Sequence, residues 1–533
     1  MTRRGGAAPR TSLRKDTAVG PPFRRVLIAN RGEIAVRIIR ACRELGMESV
    51  AVYSDADVGA AHVRLADVAV RIGPAPAAES YLRGDAIVRA AIDTGAEAIH
   101  PGYGFLAERA AFARAVEDAG LVFVGPSSAS IAALGDKLAA RRLAIAAEVP
   151  VVPGTTAPAA VDRPHETEAL LAEADKVGFP LLVKAAAGGG GRGMRRVTRR
   201  EELPAALAAG AAESLAAFGD GAVYLEREIR PARHIEVQLL GDAAGTIVAL
   251  GERDCSLQRR HQKLLEEAPA PGLADAERAN LHELAVRVAR GAGLQGAATA
   301  EFLFDTDRKP WFLEVNTRLQ VEHGVTELVT GLDLVAEQFR IAAGTPLSPA
   351  VLEAAARAGH PERHAIEVRV SAEDPARDFA PTPGRIGHWA MPAGPGVRVD
   401  TAVEAGERVP PDYDPLIAKL LVVAADREGA IARLRRALDE AAVGGIQTTL
   451  PFHRYVARHA GFGAGELSID WVAEHWDGEA DRANALAKAL VAAGLAARQG
   501  LLDASGAPAG PRPAPADAWL REGRELGVDR WPR

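Results

Sequence analysis

Apolar and polar side chains alternate without a break over residues 313–322. Successive side chains of a β-strand point to opposite faces, so this pattern predicts a strand with one apolar and one polar face. The polar face would carry two carboxylates, two amides and one guanidinium, contributed by Glu314, Asn316, Arg318, Gln320 and Glu322. Such groups bind Mg²⁺ and oxyanions. A half-exposed edge strand fits this stretch equally well, so the choice depends on the rest of the chain.

The first part of the chain predicts an α/β domain. A buried strand at residues 25–30, an amphipathic helix at 31–45 and a strand at 49–53 form a βαβ unit, as in doubly wound sheets. The first strand–helix turn lacks GxGxxG, so a nicotinamide cofactor is not indicated. Residues 1–22 have no periodicity and are expected to form a disordered leader. Their arginines leave a targeting peptide open, although the apolar content is too low for a secretory signal.

A glycine-rich loop follows another predicted strand. The strand covers residues 179–184 and ends at Lys184, and four consecutive glycines follow at 188–191. Glycine adopts positive φ without strain, so backbone N–H groups in such a loop can converge on an anion. We interpret the loop as a phosphate cradle, with a flexible hairpin tip as the alternative. It is not a P-loop, because Lys184 precedes the glycines instead of following them at a helix start.

Two further patterns indicate an anion and metal site. One short segment contains five basic or imidazole side chains: Arg253, Arg259, Arg260, His261 and Lys263. Such a run is most often a solvated face, but beside the glycine loop it favours a second anion-binding wall. Glu301 lies on a strand that is expected to pair with the strand beginning at residue 313. Glu301 and Glu314 would then form a two-carboxylate Mg²⁺ site with positions open for phosphate oxygens.

Composition narrows the class of protein. A chain of 533 residues is too long for one core, so three or four domains are expected. The net charge of −6 lacks the basic excess of nucleic-acid binders, and no apolar run is long enough for a membrane span. The two cysteines lie far apart without CxxC spacing, which favours a reducing, cytoplasmic compartment over a disulfide scaffold. We expect a soluble enzyme.

Together these motifs resemble the biotin carboxylase family, the ATP-grasp component of biotin-dependent carboxylases such as acetyl-CoA and propionyl-CoA carboxylase. The resemblance extends from about residue 23 to about residue 471. It rests on a set of segments in the family's order: IANRGEIAVRIIRA, HPGYGFLAE, GGGGRGM, ERDCSLQRRHQK, EAPAP, EVNTRLQVEH and AEDP. Two positions depart from the family pattern. Ala187 stands where relatives often have Gly, and Gly324 stands where Pro usually follows Glu-His, which is expected to loosen the backbone after Glu322.

The resemblance implies a mixed α/β and α+β multidomain fold. A Rossmann-like N-terminal domain would cover residues 23–140, and an ATP-grasp domain residues 141–345, with a glycine-rich lid at about 156–228. An α+β C-terminal domain would cover residues 360–475. Residues 476–533 would form a helical and Pro/Ala-rich tail.

The resemblance also implies roles for individual residues. Glu322 would be the general base and Arg369 would face biotin, while Glu301, Glu314 and Asn316 would bind the metal. The bicarbonate pocket would consist of Lys263, Arg318, Gln320 and Val321. The nucleotide would contact a larger set: Lys137, Lys184, Gly190, Gly191, Glu226, Arg227, Ile229, His234, Gln258, His261, Glu301 and Glu314.

The implied reaction is carboxylation of biotin. ATP would phosphorylate bicarbonate as Glu322 takes its proton, and carboxyphosphate would break to CO₂ and phosphate. Phosphate would then deprotonate the ureido nitrogen while Arg369 stabilises the biotin enolate. The cofactors would be ATP, Mg²⁺ (or Mn²⁺) and biotin on a separate carrier. None of the four methionines adjoins a lysine, whereas carboxylases that carry their own biotin attach it within Met-Lys-Met.

Partners and rival functions follow from the same resemblance. The expected partners are a biotin carboxyl carrier protein, carboxyltransferase subunits and a second copy of the chain, with no nucleic acid and no membrane. The apolar segment at residues 518–531 would dock the carrier or the carboxyltransferase, or fold back on its own domain. Two alternatives stay open: another ATP-grasp ligase, such as a carbamoyl-phosphate or amino-acid ligase, and a non-catalytic nucleotide-binding regulatory subunit.

The alternating stretch carries a geometric prediction. If residues 314–322 were fully extended, the two glutamates would lie roughly 26 Å apart. A metal-bound triphosphate and one bicarbonate cannot bridge that distance. We therefore predict that the strand ends soon after Asn316 and that the chain from Arg318 onward turns back toward the phosphates.

Overall fold

The computed structural model describes residues 20–161, 163–186 and 194–498. The leader before residue 20, positions Ala187, Gly190 and Gly191 of the glycine loop, and the tail after residue 498 lie outside these ranges. The chain divides into two compact units. The first comprises residues 1–374 and 380–476, and the second comprises residues 375–379 and 477–533.

The N-terminal strands form a five-stranded parallel sheet, which confirms the doubly wound prediction. Both faces are apolar: Val26 and Ile28 pack on one side, and Leu27 and Ala29 pack on the other. The strand order is β3-β2-β1-β4-β5. The elements are β1 (Arg25–Ile28), α1 (Gly32–Glu44), β2 (Glu48–Ser54), α2 (Ala61–Leu65), β3 (Val68–Gly73), α3 (Gly84–Thr94), β4 (Ala98–His100), α4 (Ala110–Asp118), β5 (Val122–Phe123) and α5 (Ser128–Gly135).

A smaller four-stranded antiparallel sheet follows, with the order β6-β9-β7-β8. Leu181, Val183, Val223 and Leu225 form its buried face together with two helices. The glycine loop connects its strands β7 and β8. This part contains α6 (Lys137–Ala146), β6 (Ala159–Ala160), α7 (Pro164–Val177), β7 (Leu181–Ala185), β8 (Arg195–Val197), α8 (Leu203–Phe218) and β9 (Ala222–Arg227).

The largest sheet has eight antiparallel strands in the order β14-β13-β10-β11-β12-β15-β22-β20. Its last three strands come from the predicted C-terminal domain, so the sheet continues across the predicted boundary at residues 345–360. Its first part contains β10 (Arg233–Gly241), β11 (Ile247–Arg259), β12 (Gln262–Ala268), α9 (Asp275–Gly291), β13 (Gly296–Phe304), β14 (Pro310–Asn316), α10 (His323–Thr330), α11 (Leu334–Ala342) and α12 (Pro349–Arg357).

The C-terminal part is α+β, as predicted. It contains β15 (His364–Ser371), β16 (Glu373–Asp374), β17 (Ala380–Pro381), β18 (Gly384–Arg385), β19 (His388–Ala390), β20 (Val397–Thr401), β21 (Arg408–Val409), β22 (Leu416–Ala424), α13 (Arg427–Glu440), β23 (Ala442–Gly444), α14 (Leu450–Arg458), α15 (Ala460–Ala464) and α16 (Trp471–His475). In the second unit, α17 (Gly478–Arg498) lies against a short 3₁₀ turn, Pro375–Arg377. Within the described ranges, no helix has the length and apolar content to cross a bilayer.

The strand that begins in the alternating stretch is β14, and it ends at Asn316 as the distance argument predicted. Residues 317–322 form a loop and α10 begins at His323, so the alternation beyond Asn316 does not mark a strand. Leu319 gives the physical reason. Its fully buried side chain packs in the same core as Ile28 and Ile34 of the N-terminal domain, and this draws the chain away from the sheet.

Candidate active site

Three carboxylates lie side by side across three neighbouring strands of the large sheet. Glu301 on β13 is directly opposite Glu236 on β10 and Glu314 on β14, which confirms the predicted pairing of Glu301 and Glu314. Like charges in directly opposed positions repel each other. Cations must therefore accompany this row of carboxylates.

Lys263 on β12 is the central cation. Its Nζ lies 2.5 Å from Glu236, 3.0 Å from Glu301 and 2.7 Å from Glu322. Burial opposes a charged amine, but these three carboxylates raise the pKa of Lys263 well above its usual value. The lysine is therefore a fixed positive charge at the point where the sheet meets the 317–322 loop.

Glu322 occupies the position expected of a base. Its carboxylate is fully buried; Oε1 pairs with Lys263, and Oε2 lies 3.0 Å from a terminal nitrogen of Arg369. Burial alone would raise its pKa, but Lys263, Arg369 and Arg253 hold the pKa of Glu322 well below the usual range. Glu322 is therefore ionised and able to accept a proton.

Arg369 on β15 is held between two carboxylates. It donates to Glu322 and, at 2.7 Å from Nε, to Glu266 on β12. Burial raises the pKa of Glu266 to about 7, although the guanidinium opposes this effect. The partly buried guanidinium is thereby fixed on the opposite side of Glu322 from Lys263.

Arg318 and Gln320 line the same loop. Arg318 Nε donates to Glu108 Oε2 at 3.0 Å, and its terminal nitrogens contact the side-chain oxygens of Gln320 and Asn316. The amide nitrogen of Gln320 is 3.4 Å from Glu301 Oε1. The structure thus joins Lys263, Arg318, Gln320 and Glu322 through one series of polar contacts that includes Glu301.

Several of the residues assigned to the nucleotide pair with one another or with the carboxylates of Glu301 and Glu314. Lys184 contacts Glu226, and Lys137 Nζ is 3.0 Å from Glu314. His234 Nε2 is 2.9 Å from Glu301, and its other ring nitrogen is 3.5 Å from Gln258. Burial would lower the pKa of His234, but the Glu301 carboxylate raises it.

Other predicted residues lie apart from these pairs. Arg253 is fully buried and donates to Glu236 at 2.5 Å. Its assignment to an anion-binding wall was therefore wrong, because its charge neutralises a buried carboxylate. His261 is exposed at the tip of the β11–β12 hairpin with a positive φ of 65°. The Arg227 side chain donates to the Val177 carbonyl at 2.8 Å, and Ile229 is half-buried.

Several residues of the site were missed at the sequence level. Glu108 belongs to the segment HPGYGFLAE, and Glu236 shares the strand face of His234, so both had a local signal. Glu266 had none, because its partner Arg369 is distant in sequence and meets it only through the pairing of β12 with β15.

The donor set fits a hard divalent cation. Glu301 and Glu314 are opposite each other on paired strands, and Asn316 ends the second strand; its Nδ2 donates to Glu301 Oε1 at 2.7 Å and its Oδ1 accepts from Arg318. Lys137 and Lys263 balance the two carboxylates at 3.0 Å each. Oxygen-only ligands with room for phosphate oxygens are the coordination that Mg²⁺ prefers.

Family profiles match three consecutive parts of the chain. Residues 22–131 match the biotin carboxylase N-terminal domain, residues 136–350 match the carbamoyl-phosphate synthase L chain ATP binding domain, and residues 367–474 match the biotin carboxylase C-terminal domain. Fold and site together define an ATP-grasp ligase of three domains.

Individual relatives agree with these profiles. A biotin carboxylase of Pseudomonas aeruginosa is 49% identical over 448 residues, covering 84% of this chain and 97% of the relative. The alpha3 subunit of a biotin-dependent acyl-coenzyme A carboxylase of Mycobacterium leprae is 50% identical over 432 residues, covering 81% and 70%.

A solved structure is similar over the same region. The biotin carboxylase domain dimer of Hydrogenobacter thermophilus 2-oxoglutarate carboxylase, in complex with MgADP, ADP and bicarbonate, has a TM-score of 0.80. It shares 43% identity and covers 85% of this chain and 98% of that chain. The chain belongs to the biotin carboxylase family, and it is an ATP-dependent ligase that carboxylates biotin.

Proposed function

We propose that the chain carries out the first half-reaction of an acyl-CoA carboxylase, in which bicarbonate and MgATP carboxylate biotin on a separate carrier protein. One observation carries the assignment of roles. The fully buried Glu322 has Lys263 at 2.7 Å on one oxygen and Arg369 at 3.0 Å on the other. Glu322 thus lies between Lys263, which is beside the proposed metal ligands, and Arg369, which would face biotin.

The anionic substrates fit the charges of the site. Lys137 and Lys184, with the backbone of the glycine loop, would hold the ATP phosphates, and Glu226, His234 and Gln258 would hold the rest of the nucleotide. Mg²⁺ bound by Glu301, Glu314 and Asn316 would neutralise charge on the transferring phosphoryl group. Lys263 and Arg318 would orient bicarbonate, with Gln320 and the backbone of Val321.

Substrate binding would itself activate the base. Without substrate, two cations hold the Glu322 carboxylate in its ionised form, which makes it a weak base. When an anion binds, Lys263 would interact with the anion as well as with Glu322, so the pKa of Glu322 would rise toward the range in which a carboxylate accepts a proton. Proton removal would therefore be coupled to bicarbonate binding. Arg369 would then stabilise the enolate of biotin.

The proposal also specifies that an acyl-CoA finally receives the carboxyl group. The mycobacterial alpha3 subunit favours it, whereas the Hydrogenobacter domain belongs to a 2-oxoglutarate carboxylase. A carrier protein and a carboxyltransferase would be the partners, and a homodimer is proposed because the Hydrogenobacter structure is a dimer. The cytoplasm is the proposed compartment, because Cys42 and Cys255 are both free and buried.

Two variants separate the base from a nucleotide contact. Glu322→Gln keeps the shape of the side chain and removes its basicity, so it should abolish bicarbonate-dependent ATP cleavage with little change in KM for ATP. Lys184→Ala should raise KM for ATP instead. Equal increases of KM for ATP in both variants, with unchanged kcat, would overturn the assigned roles. Acetyl-CoA, propionyl-CoA and 2-oxoglutarate, added with the co-purified carboxyltransferase, identify the acceptor.

A further inference from the structure

Lys419 on β22 is a fully buried lysine that contacts the loop of residues 317–322. This loop contains Arg318, Gln320 and Val321 of the proposed bicarbonate pocket and is named the bicarbonate loop. Its Nζ donates to the backbone carbonyl of Val321 at 2.9 Å, one residue before Glu322. Lysine is almost never fully buried unless it is paired, because desolvation of an ammonium is costly. A buried ammonium that contacts a backbone carbonyl beside the base therefore needs an explanation.

A second side chain fixes the preceding carbonyl. His323 Nδ1 lies 2.8 Å from the carbonyl oxygen of Gln320, so this nitrogen carries the hydrogen and donates. Burial, together with the cations Lys419, Arg37 and Arg398, holds the pKa of His323 well below its usual value, so the ring is neutral. Two successive carbonyls of the loop are thus held from behind by side chains outside it.

The planarity of the peptide converts these contacts into an orientation. In a trans peptide the C=O and the following N–H point in opposite directions. The contact of the Gln320 carbonyl with His323 therefore directs the N–H of Val321 the other way. The contact of the Val321 carbonyl with Lys419 fixes the next peptide, which carries Glu322. Valine has no polar side-chain atom, so only this backbone can take part in an anion site.

Charged and titratable groups face Lys419 from every element packed against it. Glu33 of α1 is 3.2 Å from Nζ, and Asp400 of β20 is 3.8 Å away. Tyr103 donates to Glu33, with its ring 5.8 Å from Nζ. Arg398 binds Asp400 through two nitrogens at 2.9 and 2.7 Å. The other charged or titratable neighbours include the buried side chains of Glu367 on β15 and His323 on α10, and Arg369 on β15, which is directly opposite Lys419 in the sheet.

We propose that Lys419 is a positioning residue for bicarbonate activation: it fixes the Val321–Glu322 peptide and thereby aims the Glu322 carboxylate, while His323 aims the Val321 N–H. Glu33 and Asp400 hold its ammonium in place from the N-terminal and C-terminal domains. The bicarbonate loop, which lies between these domains, is thus oriented by both. This inference rests on the proposed roles of Val321 and Glu322.

The test compares bicarbonate with ATP kinetics. Lys419→Met keeps the aliphatic stem and removes the donor and its charge. Loss of a charge-assisted hydrogen bond to the carbonyl should raise KM for bicarbonate, lower kcat, or both, with kcat/KM for bicarbonate falling about tenfold or more. KM for ATP should stay within about twofold, because no nucleotide-side pair contacts Lys419. Lys176→Met is the matched control: among the residues that the structure describes, this exposed lysine pairs only with Glu173 of its own helix, and the variant should change neither constant.

A second variant controls for folding. Lys419→Met combined with Glu33→Gln also removes the charge of Glu33, the carboxylate nearest to the lysine among its ion pairs, and should show the same selective loss for bicarbonate. Unchanged bicarbonate kinetics in either folded variant would overturn the proposal. A parallel loss for ATP, or failure of both variants to fold, would overturn it too, since either result assigns Lys419 to stability. The proposed function is tested separately by bicarbonate-dependent ATP cleavage in the unaltered chain.

Discussion

Gly324, in the first turn of α10, provides a sharp test of how the base is supported. A Cβ at this position would lie 2.5 Å from Leu421 Cδ2 of β22 and 3.3 Å from Glu367 Oε2 of β15. The glycine φ is not in the left-handed region, so an alanine meets no backbone strain there. Only the close approach of α10 to the sheet opposes it.

The expected changes in the free energy of unfolding follow from the close contact between the new Cβ and Leu421. Gly324→Ala overpacks a buried site and should lower the free energy of unfolding by about 1–3 kcal/mol. Leu421→Ala removes the atom in the way but opens a cavity, at about 2–5 kcal/mol. In the double variant the new methyl group enters that cavity. Its destabilisation should therefore be less than the sum of the single values by at least about 1 kcal/mol.

Urea unfolding of the four proteins measures this coupling, and bicarbonate-dependent ATP cleavage follows its effect on the base. Since Gly324 lies two residues after Glu322, the single alanine variant should also lose activity, and the double variant should regain part of it. Strict additivity of the unfolding free energies would refute the packing argument. Activity that stays normal in Gly324→Ala would refute the link between α10 and the base.

Two further predictions concern Arg369. Arg369→Met should lower carboxylation of free biotin roughly a hundredfold and leave KM for ATP nearly unchanged. Transfer of labelled carbon from bicarbonate to biotin, followed at several ATP concentrations, measures both the rate and KM for ATP. Burial raises the pKa of Glu266, which pairs with Arg369, to about 7. The stability that the protonated Glu266 carboxyl contributes is therefore fully present below the pKa of the unfolded chain, and it is lost as pH rises through 7. Between pH 5 and pH 8.5 the wild-type Tm should fall more than that of Glu266→Gln; parallel Tm curves would contradict this.

Local patterns in the sequence predicted much of the fold. The βαβ unit and the strand before the glycine loop follow from short apolar runs and helical spacing, and the pairing of the carboxylates of β13 and β14 was expected because the two strands follow each other along the chain. The end of β14 at Asn316 followed from a distance argument, which overrode an alternation that continues to Glu322. Periodicity failed there because Leu319 is buried against another domain.

The polar interior was much less predictable. Arg253 belongs to a basic segment that reads as an anion-binding wall, yet it is fully buried and neutralises Glu236. The Arg369–Glu266 pair and the contact of Lys419 with the Val321 carbonyl join residues far apart in sequence. Such contacts depend on strand order in the large sheet, which no local pattern determines.

The most direct test of the central claim is transfer of labelled carbon from bicarbonate to free biotin by the purified chain with MgATP. The account predicts label in biotin that requires both ATP and bicarbonate, with ADP formed in step with it, and no label with Glu322→Gln. Normal labelling by Glu322→Gln, or ATP cleavage that does not depend on bicarbonate, would contradict the assignment of Glu322 as the base that activates bicarbonate.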